Sequence, residues 1–184
     1  METTDALVRN ALYNGATPQQ QWSTALGGST NFNPAAIQQA VATLQENKAL
    51  MYPGTFAWLG KTQPQPAADL MASTIWTNAA VYSNVESLYE GELGALYGVR
   101  FLLTNQGYTV SGTSGTVYSN FIHGREAFGV YDNQLDPPKL YIVVGPDSNN
   151  AAERYHTISW AGQFASVVLN TTWLVDVRCY SVTS

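Results

Sequence analysis

Charge is scarce in this chain: Asp, Glu, Lys and Arg make up 11% of its 184 residues, against roughly 25% in an ordinary soluble domain. Eight Lys and Arg face thirteen Asp and Glu, for a net charge of −5. The cations are spread thinly, so no basic stripe exists to track a phosphate backbone. The single cysteine, Cys179, excludes an intramolecular disulfide; on an apolar strand it reads as a small core residue. Two histidines occur, His123 and His156, at no recognisable metal-ligand spacing, and both read as hydrogen-bonded structural residues. No run of about 18 apolar residues is available for a transmembrane helix. The start, Met1-Glu-Thr-Thr-Asp-Ala, is acidic and lacks the basic and apolar regions of a signal peptide. A nucleophile elbow, a P-loop and a dinucleotide fingerprint are absent as well. No metal or cofactor is expected, and no enzyme activity.

Apolar and aromatic side chains are plentiful by contrast. A hydrophobic share of 45% is enough for one domain, or one domain with a small sub-domain, around a proper core. With so few charges, the surface must be built from Ser, Thr, Asn, Gln, Tyr and exposed apolar groups. Five Trp and eleven Tyr on such a surface suit subunit interfaces, whose centres are depleted in charge. A low-charge monomer fits the composition equally well.

Residues 2–12 read as a helix with an apolar stripe of Leu7, Val8, Ala11 and Leu12, stopped by Asn14-Gly15. Residues 15–32 read as a polar loop anchored by Trp22. A second helix carries the firmest local signals: Asn33 as cap, Pro34 at the first turn, then Ile37, Val41 and Leu44, ending near Lys48. A short buried strand is expected over 55–60, and a helix opened by Pro66 over 67–73. Residues 75–92 are ambiguous between helix and loop. Strands are expected at 98–104, 107–111 and 139–144, with a strand-to-helix segment over 117–131. Two long alternating runs, 155–169 and 172–182, would be joined by a hairpin turn at Asn170-Thr171. Helices cluster early and strands late, which argues for an α+β fold.

Two segments stand out. Glu90-Gly-Glu-Leu-Gly-Ala-Leu-Tyr-Gly-Val-Arg-Phe-Leu-Leu-Thr104 runs from three glycines, 91, 94 and 98, directly into an alternating strand. In Ile122-His-Gly-Arg-Glu-Ala-Phe-Gly-Val130, Gly124 and Gly129 bracket Ala127 and Phe128, which read as buried. The glycine spacing fits turns and tight backbone approach. Glu86, Glu90 and Glu92 form an acidic cluster, best read as a solvated face or a partner for Arg on another chain. Arg9, Arg100, Arg125 and Arg178 are isolated cations that need a carboxylate or carbonyl, within the chain or across an interface. Trp22, Trp76, Glu86, Tyr89, Arg100 and Arg125 are the residues expected at interfaces, with the loop 15–32 and the segment 86–92 at subunit contacts.

In order and spacing these pieces resemble the major capsid proteins of tailed phages, in particular the podophage N-four-type family. Tyr89-Glu-Gly-Glu-Leu-Gly-Ala-Leu-Tyr-Gly-Val-Arg-Phe resembles that family's Y-x-G-E-I-G-x-x-x-G-V-R-F segment. Phe121-Ile-His-Gly-Arg-Glu-Ala-Phe-Gly-Val resembles its G-K-D-A-F/Y-G-V segment. Thr4 to Asn10 resembles the end of the family's spine helix, Asn33 to Lys48 its next helix, and Trp160 to Val177 its terminal hairpin. The resemblance implies the Hong Kong-ninety-seven-type capsid fold: an α+β subunit with antiparallel-rich sheets, packed as pentamers and hexamers of an icosahedral shell. It implies a homo-oligomer that encloses double-stranded DNA without sequence-specific binding and has no membrane partner. Cement, portal or scaffold proteins are its candidate further partners. Localisation would be the virion, after synthesis in the bacterial host cytoplasm. The expected organisation is one subunit region, 1–184, with 1–60 and 139–184 peripheral-type and 61–138 axial-type. Family members carry an N-terminal arm, an extended loop and most of the spine helix before the region matching 4–10. Met1 is thus expected to be an internal methionine of a truncated chain or the start of a shortened relative. An encapsulin-like shell subunit and a stand-alone aromatic-rich binding module are the alternatives.

Overall fold

The computed structural model describes residues 2–15, 17–21, 31–54, 58–76, 92–112, 115–132, 138–146, 150–152 and 154–181. Trp22, Glu86 and Tyr89 lie outside these residues.

The organising element is a mixed sheet built around one long strand, β6 (Gly115–His123). Its length lets it serve two neighbours on one edge. Residues 115–118 pair with β5 (Thr109–Gly112), and 121–123 pair with β2 (Trp58–Thr62). On the other edge β11 (Leu174–Cys179) runs antiparallel along 118–123. Beyond β2 lie β4 (Val99–Leu103), parallel to it, and β3 (Glu92–Leu96). Beyond β11 lies the parallel edge strand β1 (Thr17–Gln21). Leu96 pairs with Val99, so Tyr97-Gly98 is a two-residue turn, with φ of 51° and 79°. Both central residues are left-handed, as a type I′ hairpin turn requires; Gly98 adopts this without steric cost and Tyr97 tolerates it. This is the conformational reason for the glycine ahead of the Val99 strand.

Register gives the sheet two distinct faces. On one, Tyr118, Asn120 and Ile122 of β6 align with Cys179, Val177 and Val175 of β11, and Gly60 of β2 aligns with Ile122 and Phe101. This face packs beneath α2 (Pro34–Glu46) and α3 (Pro64–Met71), forming the larger core with Phe32, Ile37, Leu44, Leu70 and Trp76. The two helices form for legible reasons: each has Pro in its first turn, and Asn33 accepts a hydrogen bond from the Ala36 amide at 2.9 Å. Within this core Thr62 donates to Asn120 Oδ1 at 2.6 Å, while Asn120 Nδ2 donates to the Val177 carbonyl. That satisfies polar groups that burial would otherwise penalise.

The opposite face carries Phe121 and Leu174, and is covered by α1 (Glu2–Gly15) and a separate antiparallel pair. That pair is β7 (Phe128–Asp132) with β10 (Phe164–Val168). Leu12, Phe121, Ala127 and Leu174 make this second core, with Val8, Tyr13, Phe128, Val168 and Trp173 at its margin. A third sheet, β8 (Lys139–Val143) with β9 (Thr157–Ala161), is a two-stranded ribbon.

The architecture is α+β, and several local expectations change. The polar stretch after residue 15 contains β1, recruited by the open edge of β11 despite its three glutamines. The buried strand is shifted to 58–62, and Pro64 rather than Pro66 opens α3. Residues 92–96 form β3, unforeseen because its strand depends on pairing with β4. The segment 117–131 is two strands with no helix. The hairpin at Asn170-Thr171 does not form: a 3-10 turn at Thr171–Trp173 carries the chain from β10 to β11, which lie in different sheets. The expected boundary between residues 60 and 61 falls inside β2. The seven-stranded sheet draws on the ranges 1–60, 61–138 and 139–184 alike.

Candidate assembly surfaces

The motif 122–130 forms the joint between the sheet and the second layer. Gly124 donates its amide to the Trp173 carbonyl at 3.0 Å, and Arg125 donates its own to Leu50 at 2.8 Å. A Cβ at position 124 would stand 2.7 Å from the Leu50 carbonyl oxygen, so only glycine admits this approach. Ala127 is buried as expected and its carbonyl accepts from Leu169 and Asn170; Phe128 is half-buried. His123 is 1% exposed. Its Nδ1 lies 3.1 Å from the Gly124 carbonyl and 3.3 Å from the Tyr52 hydroxyl, and Phe128 meets its ring edge-on at 5.1 Å. Burial lowers the His123 pKa to about 4, with the Gly124 hydrogen bond opposing and Lys61 adding to the effect. The imidazole is therefore neutral at pH 7 and structural, as the sequence suggested.

Of the residues expected at interfaces, Trp76 is used inside the fold: it is 7% exposed and meets Phe101 edge-on at 6.2 Å. Arg125 is exposed and pairs with its neighbour Glu126 at 2.7 Å. Arg100 is half-buried on β4, on the face opposite the larger core. Arg178 binds the fully buried Asp176 at 2.7 Å and lies over the Tyr13 ring. Burial raises the Asp176 pKa and Arg178 and Ser119 oppose that shift. Cys179 is fully buried and burial pushes its thiol up to about 12, so it is protonated at neutral pH. Among the described residues no group of three His, Cys, Asp or Glu side chains could hold a metal ion, and no described helix is long and apolar enough to cross a membrane.

The most prominent surface was not anticipated at all. In the β8–β9 ribbon Leu140 pairs with Trp160 and Ile142 with Ile158, which puts four large apolar side chains on one face. They are 64%, 59%, 57% and 70% exposed in that order. The reverse face is mixed, with Tyr141 opposite Ser159 and Val143 opposite Thr157. On the nearby pair, Tyr131 and Val167 share the face that bears Gly129, and both are more than half exposed, as is Leu169. Covering one such side chain would contribute on the order of 1–2 kcal/mol, and an isolated two-stranded ribbon is marginal in water. An apolar face of this kind calls for a partner. The alternation Leu140-Ile142 and Ile158-Trp160 is visible in the sequence, but the same pattern is produced by a strand facing a core.

The class follows from comparison of the whole fold: this α+β chain has the phage capsid fold of the Hong Kong-ninety-seven type. It is similar to a chain from the head of Helicobacter pylori bacteriophage KHP40, with a TM-score of 0.66 and 12% identity over 96% of this chain and 64% of that one. A chain of Mycobacterium phage Che8 gives 0.62 and 16%, over 96% and 58%. The SrpI encapsulin of Synechococcus elongatus gives 0.58 and 10%, over 98% and 61%. The chain thus spans about three-fifths of the length of these three solved chains. No protein-family model and no curated protein matches it.

Proposed function

We propose that this chain is a structural subunit of an icosahedral phage capsid, of the podophage N-four-type family, acting through self-assembly rather than catalysis. The observation that carries this reading is the exposed apolar face of Leu140, Ile142, Ile158 and Trp160 in a chain with the capsid fold. Second copies cover such faces in a closed shell of pentamers and hexamers, and the shell encloses double-stranded DNA without reading its sequence. Arg100 and Arg125, together with Trp22, Glu86 and Tyr89, remain candidate contact residues, and cement, portal or scaffold proteins are candidate partners. The virion is the resulting location.

The likeness to an encapsulin favours a second reading, a shell of the same build that packages protein. Negative-stain imaging combined with light scattering on the native particle tests both. Closed shells with nuclease-protected DNA are expected; shells with protein cargo would select the second reading. A monodisperse species of the chain mass, 20.0 kDa, would overturn both in favour of a stand-alone module.

A further inference from the structure

We propose that the cleft between α1 and the central sheet binds a single phosphate group. The cleft has a volume of about 100 Å³ and opens to solvent, which gives room for a group of this size. Arg9 reaches it from α1, Lys61 from β2, Thr104 and Gln106 from the turn after β4, and Ser119 from β6, over an apolar floor at Phe121. Two of the eight cations in an acidic chain meet here, and no Asp or Glu is among the lining residues. Asp176 lies behind Ser119, 3.3 Å from its hydroxyl, and its charge is met by Arg178 at 2.7 Å.

The cations are held in place before any ligand arrives. Arg9 lies 5.9 Å from the centre of the Tyr108 ring, which stacks on Tyr13 at 3.8 Å. Arg178 lies over the Tyr13 ring, 4.5 Å from its centre. Lys61 lies 5.4 Å from the centre of Phe128. Such stacking fixes cationic side chains at low entropic cost. Arg9 Nε is out of solvent and has no hydrogen-bond partner among the described residues. A guanidinium, an ammonium, the Thr104 hydroxyl and the Gln106 side-chain amide converge from three elements, while the Ser119 hydroxyl donates to Asp176. A tetrahedral oxyanion with several acceptor oxygens uses that donor set more fully than a carboxylate with two. The group could come from free phosphate or from a phosphodiester backbone, and the cleft lies within one subunit whether or not the chain forms shells.

The test is calorimetric titration of the full chain with inorganic phosphate, with chloride balancing the ionic strength. Saturable one-to-one binding is expected, weakened about tenfold in Lys61→Met, which keeps its packing on Phe128, and unchanged in Arg154→Gln, an exposed cation outside the cleft. Thr104→Val, which keeps the side-chain shape, is expected to weaken it several-fold and serves if Lys61→Met fails to fold. Absence of saturable binding, or wild-type affinity in the folded cleft variants, overturns the proposal. Competition by a short DNA oligonucleotide identifies the phosphodiester as the source, and phosphate binding that the oligonucleotide leaves untouched identifies the free anion; either result supports the site.

Discussion

At the scale of single residues, His123 makes the sharpest demand on the structure. Its pKa in the folded chain is lowered to about 4 from an ordinary 6.5. The unfolded chain therefore takes up a proton at a higher pH than the folded one. Stability from this residue is complete above pH 6.5, is lost as pH falls towards 4, and changes no further below that. The loss is roughly 3 kcal/mol at most. The groups facing the ring allow no easy rescue: Lys61 adds positive charge, while Tyr52 and the Gly124 carbonyl both meet Nδ1. Denaturant unfolding of wild type and His123→Phe at several pH values between these limits should show a component present only in wild type. Parallel profiles for the two would refute this account. The burial of His123 could not be read from the sequence, because it depends on Tyr52, 71 positions away, and on a turn whose glycine approaches Leu50.

At the scale of elements, what could be read depended on where each element finds its hydrogen bonds. Helix α2 satisfies its own backbone and carries its own cap and Pro, so it stands at Pro34–Glu46 much as expected. Strands β1 and β3 take their partners from β11 and β4, and nothing local announces them. The runs ending in β10 and β11 alternate as strands should, yet period alone does not say which strand each pairs with. The β8–β9 ribbon raises the same question of partners from the other side. Among the described residues its strands pair only with each other, and its apolar face is exposed. Replacing Ile142 and Ile158 together with Thr keeps β-branched residues in both strands while removing most of the apolar gain. The double variant should keep the near-ultraviolet circular dichroism of the wild type and lose at least about tenfold in particle yield, as expected when a central apolar patch is removed. Wild-type particle yield from that variant would remove the ribbon from the assembly surface.

At the scale of the whole molecule, the shortage of charge sets the expected response to solution conditions. Assembly by a chain with 11% charged residues should rest on apolar burial. Shells should then tolerate a rise in sodium chloride from about 0.1 to 1 M, because screening removes little. They should be favoured by sulfate, which strengthens apolar association. Light scattering across both salt series checks this; dissociation in sodium chloride would show that ion pairs carry the contacts instead.

Composition and local pattern set the chemistry available: few charges, two histidines, enough apolar residues for a core, and α2 through its own cap, proline and periodicity. The segments at 89–101 and 121–130 also carry a resemblance to tailed-phage capsid proteins, and the structure agrees with it at the level of the phage capsid fold. Tertiary structure decided the use of those residues. Long-range pairing put Trp76 in the core and moved β10 and β11 into separate sheets. It also left Leu140, Ile142, Ile158 and Trp160 in solvent. An apolar residue on a strand satisfies the same local rule whether it faces a core or a partner. Which one it faces is fixed by what the rest of the chain brings, or fails to bring, against it.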